Sequence, residues 1–153
     1  MVFVKSDIEK LIEVKKKDSI INHFFTIMKR DYKSNGEVGL HEIKFWKLNV
    51  WNAIFYPIFI FKLNSKNEVI TINSKLNSFG KLIYFLFFVF LTSFFKDIDF
   101  ATIKVSSIFI ITLIYLVFIS LFILLSFKIY SFVKKNQLQS IFKRLAKKTH
   151  QEE

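Results

Sequence analysis

The sequence predicts an integral membrane α+β protein: a two-helix transmembrane hairpin carrying a small cytosolic antiparallel β-sheet flanked by amphipathic helices. Three observations predict it. Residues 82–95 and 105–127 are apolar, uncharged and separated by a short polar piece. Residues 69–75 alternate in polarity as a half-buried strand does. Apolar side chains recur at helical spacing in the first 30 residues and near the C-terminus. The predicted organisation is 1–31 amphipathic helices, 32–78 a β-rich cytosolic unit, 79–130 the hairpin and 131–153 a basic tail helix.

Residues 105–127 number 23 and carry no charge. A helix of that length rises roughly 34 Å, enough to cross a hydrocarbon core of about 30 Å. Residues 82–95 cover only roughly 21 Å, a length shared by re-entrant segments and buried strands. Snorkelling by Lys81 and Lys96 extends that run, and its phenylalanines suit lipid better than water. It is therefore expected to pair with the second run across the nine residues 96–104. The charged first 30 residues do not read as a secretory signal.

The net charge is +11. Fourteen Lys and Arg precede residue 82, two lie in 96–104 beside Asp97 and Asp99, and seven follow residue 127. The positive-inside rule then places both termini in the cytosol, in a bacterial inner membrane. Lys81, Lys128, Lys134, Lys135, Lys143 and Arg144 are the candidates for contact with anionic lipid. This topology accounts for the charge without nucleic acid, for which no zinc finger, RNP-like strand or basic heptad is present.

Ser6 with Glu9 three residues later forms a capping-box pattern and predicts a helix over 6–17. Asp18 is expected to cap a second helix over 19–30, whose Ile20, Ile21, Phe24, Ile27 and Met28 form an apolar stripe. That stripe suits either packing on a core or an interfacial helix lying in the headgroups. Ser34-Asn35-Gly36 reads as a turn. Strands are expected over 43–51, 58–63 and 69–75, the last two as a hairpin with Pro57 at the first position of its strand. Trp46, Trp51, Tyr56 and Phe59 read as core or as membrane-interface anchors. Trp46, Trp51 and Tyr56 are also the candidates for binding a partner. No proline or glycine interrupts 105–153, so the second membrane helix should continue through 130–148. Its Leu138, Ile141, Phe142 and Leu145 stripe should dock on the β unit or lie on the membrane.

Conventional catalytic patterns are missing. There is no cysteine, hence no disulfide, thiolate nucleophile or thiolate ligand. His23, His41 and His150 stand singly, without metal-ligand spacing. Three glycines leave little room for a phosphate loop or nucleophile elbow. Neither apolar run holds a charge of the kind that transporters place in the membrane.

At Gly36-Glu37-Val38, at Ile43-Lys44-Phe45-Trp46-Lys47-Leu48 and at Trp51-Asn52-Ala53-Ile54-Phe55-Tyr56-Pro57, the chain resembles a group of uncharacterised bacterial membrane proteins over residues 32–130. The Asn52-to-Pro57 spacing is one residue longer than in that group, and no glycine soon follows the proline. The resemblance implies a short β-rich segment followed by two transmembrane helices and brings no activity, cofactor or site with it. The expectation is a small non-enzymatic membrane protein without cofactor or metal. It would anchor a cytosolic module that binds a protein partner, anionic lipid or a toxin. The alternative is a membrane-perturbing effector that forms a homo-oligomer through its hairpin. No small-molecule substrate is implied.

Overall fold

The computed structural model describes residues 3–48, 54–93 and 105–149, without the side chains of 105, 106 and 147–149. In chain order the elements are α1 (Lys5–Glu9), β1 (Val14–Lys15), α2 (Ile20–Met28), β2 (Ser34–Val38), β3 (Glu42–Lys47), β4 (Pro57–Leu63), β5 (Val69–Leu76), α3 (Ser78–Ser93) and α4 (Val105–Thr149). The strands form one sheet in the order β1-β2-β3-β4-β5. Pairing is antiparallel throughout except for β1, which runs parallel to β2.

Two corrections concern the fold class. The sheet is mixed, not antiparallel. Among the described residues one helix, not two, is long and apolar enough to cross a membrane. α3 has 16 residues, roughly 24 Å of helix against a hydrocarbon core of about 30 Å. The ends of the predicted first run and of the predicted strand over 43–51, Trp51 itself and the connection 96–104 lie outside the described residues.

The predicted helix over 6–17 stops after one turn. Val4, not Ser6, is its N-cap, and Asp7 reaches back to accept the Val4 N–H at 3.1 Å. Beyond Lys10 the backbone donors of Glu13 and Lys16 bond to the carbonyls of Ser34 and Gly36, at 2.9 Å each. Residues 14–15 thus become an edge strand, for which β-branched Val14 is better suited than for a helix. Ser34-Asn35-Gly36 is correspondingly strand, not turn. The turn comes at Gly39, whose N–H bonds to the Glu42 carbonyl.

Gly36 is needed for close approach. A Cβ there would meet the Lys44 carbonyl oxygen at 2.7 Å and collide with the Ile12 side chain. Gly36→Ala should lower stability by about 1–3 kcal/mol, the usual cost of overpacking. Urea unfolding of the detergent-solubilised protein would read this as a lowered midpoint, and an unchanged midpoint would show that the edge strand is loosely held.

Directly paired strand residues share a face of the sheet. Phe45 opposes Phe59 and Ile43 opposes Phe61. This face carries the larger core, in which Ile8 and Leu11 meet Ile141 and Leu145 of α4. The opposite face carries Trp46 against Ile58 and is covered by α2 through Ile27. The sheet thus lies between α4 with the N-terminal turn on one side and α2 on the other.

One stripe of α4 organises this arrangement. Tyr115, Ile119, Phe122, Ser126, Tyr130, Val133, Gln137, Ile141 and Leu145 are less exposed than their neighbours, a spacing of three and four that keeps one helical face inward. Phe122 stacks on Phe87 of α3 with ring centroids 4.0 Å apart. Further along, Tyr130 bonds to Ser74 of β5, and the Gln137 amide donates to the Lys47 carbonyl at 2.9 Å. The expected continuation of the helix and the docking of its tail on the sheet are both present. The apolar half, in contrast, has an 18-residue window with mean hydropathy 3.1 and none of it buried.

Candidate functional site

The six cations predicted to meet lipid do not form one collar. Lys81 is exposed in the first turns of α3, and Lys128 is exposed where the apolar part of α4 ends. Lys134 is half-buried and Lys135 exposed. Lys143 and Arg144 are exposed but follow Lys128 by 15 and 16 residues, roughly 22–24 Å along the helix. A headgroup layer is only about 5–8 Å deep, so these two belong to the far end of the module. There Arg144 and Lys47 flank a groove of ≈ 400 Å³ lined by Tyr32, Leu48, Asn136, Gln137 and Ser140.

The aromatic partner-binding candidates are placed differently again. Trp46 and Tyr56 are both fully buried, so they offer no surface to a partner. They are core residues on the α2 face of the sheet, which is one of the two roles read from the sequence.

What they enclose was not legible beforehand. His23 of α2 is fully buried and lies between Tyr56 and Asp18. Its Nδ1 is 2.6 Å from the Tyr56 hydroxyl, and its Nε2 is 2.9 Å from Asp18 Oδ1. A neutral ring satisfies both partners, donating from Nε2 to the carboxylate and accepting from the phenol at Nδ1. The Trp46 ring lies 5.1 Å from the imidazole. The other oxygen of Asp18 meets Lys75 Nζ at 2.7 Å and Lys44 Nζ at 3.8 Å. Lys44 also pairs with Glu37 at 3.3 Å, and Glu37 accepts the Asp18 backbone N–H at 2.9 Å.

The electrostatics follow from these contacts. The hydrogen bond from His23, with help from Lys75 and against the cost of burial, holds the Asp18 carboxyl far below the usual carboxylate range. Burial, reinforced by the Asp18 charge, pushes the Tyr56 phenol well up. The Asp18 N–H and then Lys44 hold Glu37 down. The row Tyr56–His23–Asp18 has the connectivity of a proton relay. Yet the His23 side chain is 0% exposed and the Asp18 side chain 3%, so no substrate can reach it as it stands. It acts as a strut tying α2 to Tyr56, just before β4, and through Lys75 to β5.

That strut inverts α2. A surface helix ordinarily turns its apolar stripe to the core. Here the buried positions are His23 and Thr26, while Ile20, Ile21, Phe24, Phe25 and Met28 are 40–67% exposed. The functional signal in the sequence was His23 inside an otherwise apolar stripe. Because that residue claims the inward face, the stripe must turn outward.

α3 is fixed beside this surface by Asn77. Its amide donates to the carbonyls of Ile54 and Tyr56 at 2.7 and 3.0 Å, and its Oδ1 accepts the Gly80 N–H at 2.7 Å. One buried side chain thus caps α3 and ties its foot to the start of β4. Phe79 at that foot meets Phe24 of α2 with centroids 5.7 Å apart.

Among the described residues, no group of three His, Asp or Glu side chains could hold a metal ion. No family model, curated protein or solved structure matches the chain. The fold and its surfaces therefore define the class: an α+β module built around one long helix whose apolar half is compatible with membrane association.

Proposed function

We propose that this chain is a membrane-anchored binding module, held in the bilayer by the apolar half of α4 and presenting its sheet and tail to the cytosol. The observation that carries this reading is the division of α4. Its first half is exposed and apolar, whereas Ile141 and Leu145 in its second half are 3% exposed in the sheet's core. The helix that would hold the membrane is thus also a structural member of the module. The positive-inside rule supports the cytosolic orientation, through Lys128, Lys134 and Lys135 after the apolar segment. A bacterial inner membrane is the proposed location. The groove between Lys47 and Arg144 is the surface offered to an acidic segment of a protein partner, a toxin among the candidates. The observations do not favour a membrane-perturbing effector, because among the described residues only one helix is long and apolar enough to span, not the two its hairpin requires.

The test is membrane fractionation of the full chain. The protein should sediment with membranes, resist alkaline extraction and be released by detergent. Leu116→Arg places a cation near the middle of the apolar segment at a cost of about 2.5–3.5 kcal/mol and should move protein into the soluble or aggregated fraction. Release of the native chain by alkali would sink the anchoring.

A further inference from the structure

We infer that α2 is a second membrane contact, an in-plane helix whose exposed face lies at the headgroup–acyl boundary of an anionic bilayer. This rests on the anchoring of α4 proposed above and adds where the module sits relative to that anchor.

Three observations converge on it. First, the exposed face is contiguous and strongly apolar: Ile21 is 67% exposed, Met28 66% and Phe25 47%. An amphipathic helix rich in Phe and Ile on one side and lysine at its margins is the form that lies in a membrane interface. Second, the sheet register fixes its level. Pro57 pairs with Leu76 at one end of the sheet, and α3 starts there. Tyr130, three residues after the apolar segment ends, bonds Ser74 at the same end. Phe24 touches Phe79 at the foot of α3. α2 therefore stands at the level where α4 would leave the hydrocarbon.

Third, the rim is basic. Lys17 precedes α2, and Lys29 and Arg30 follow it, all exposed. Lys29 Nζ lies 5.8 Å from the Phe25 ring centroid. Arg30 adopts a left-handed backbone, φ 47°, and the helix closes as a Schellman turn, with Arg30 N–H bonded to the Ile27 carbonyl and Asp31 N–H to Thr26. Glycine is the residue that fits such a position without steric cost. The residue that occupies it here carries an exposed guanidinium next to the apolar face of α2.

The chain lacks cysteine, so single substitutions Ile21→Cys, Met28→Cys, Leu124→Cys and Leu40→Cys each take one fluorophore on the full-length protein. Leu40 is 81% exposed in the β2–β3 turn, at the sheet end away from α3. The protein is reconstituted in vesicles of phosphatidylcholine with phosphatidylglycerol that carry quenchers either near the carbonyls or deep in the chains. The expected result is a blue shift at Ile21 and Met28 with quenching by the shallow label. Deep quenching is expected at Leu124 and none at Leu40. Weaker shallow quenching in phosphatidylcholine alone would support the role of the basic rim. Deep quenching at Leu124 with Ile21 and Met28 unquenched would overturn the α2 inference and leave the anchor standing. No quenching at Leu124 would overturn the anchor and this inference with it. Efficient disulfide formation between two Ile21→Cys copies, without lipid quenching, would assign the face to self-association instead.

Discussion

Deletion of residues 137–153 is expected to unfold the sheet as well as remove the tail. Leu138, Ile141 and Leu145 close the larger core against Ile8, Leu11, Phe45 and Phe59. Truncating one buried leucine or isoleucine to alanine typically costs about 2–5 kcal/mol. Losing three such contacts together approaches the roughly 5–15 kcal/mol that separates a folded domain from its unfolded chain. The deletion also removes the Gln137 amide that donates to the Lys47 carbonyl at the end of β3. Limited proteolysis in detergent reads the effect directly: residues 31–76 should pass from resistant to rapidly cut. The single substitution Leu145→Ala should give a milder loss of about 2–5 kcal/mol with the fold retained. Unchanged resistance of 31–76 in the truncated protein would mean that the tail rests on a sheet stable without it.

This dependence explains which parts of the fold could be read in advance. The tail stripe and the β4–β5 hairpin were legible because both are local patterns: helical spacing in Leu138, Ile141 and Leu145, and period two in residues 69–75. Pro57 stands first in β4, as its missing N–H demands. β1 was not legible, because two residues that pair with a strand twenty-one positions away leave no local period. Gly36 misled for a physical reason. Glycine marks either a turn or a close backbone approach, and only the position of Ile12 and the Lys44 carbonyl decides between them. The first of the two predicted membrane helices failed on length, since among the described residues its helix, α3, spans only Ser78–Ser93. The Asp18 cluster was invisible because its members are scattered in sequence. Asp18 and His23 lie five residues apart, but Lys44 comes from β3, Lys75 from β5 and Tyr56 from the residue just before β4, and only the fold brings them together. Asp18 was expected to cap α2. Ser19 does so instead, accepting the Asn22 N–H at 3.3 Å, which frees the aspartate for the ion pairs.

Loss of the Asp18 carboxylate is expected to be the most damaging single substitution outside the apolar core. Asp18→Ala leaves His23 without its acceptor in a site where the ring is wholly buried, and strips Lys75 and Lys44 of a shared anion. Leaving a buried donor such as His23 Nε2 without its acceptor typically costs about 1–3 kcal/mol, and the loss of the anion shared by the partly exposed Lys75 and Lys44 adds to it. The inverted seating of α2 depends on this strut, so α2 should detach before the sheet melts. The pH dependence has a definite sign. The Asp18 carboxyl is depressed in the folded protein, so its contribution is present above the unfolded value of about 4 and is lost as pH falls below it. Glu37 and Asp31, also held down, by the Asp18 N–H and by Lys16 respectively, add in the same direction. Tyr56 acts at the other limb. Its raised phenol contributes below the unfolded value of about 10 and loses that contribution as pH rises through the folded value. Asp18→Asn can still accept from His23 but has no charge, so the detergent-solubilised variant should show a flatter acid limb than the native protein, with the alkaline limb largely kept. Urea midpoints measured from pH 3 to pH 11 separate these outcomes. If Asp18→Ala costs less than about 1 kcal/mol, the scale of an exposed ion pair, and the Asn variant keeps the native acid limb, the cluster does not hold α2 and the helix must be retained by Ile27 and Thr26 alone.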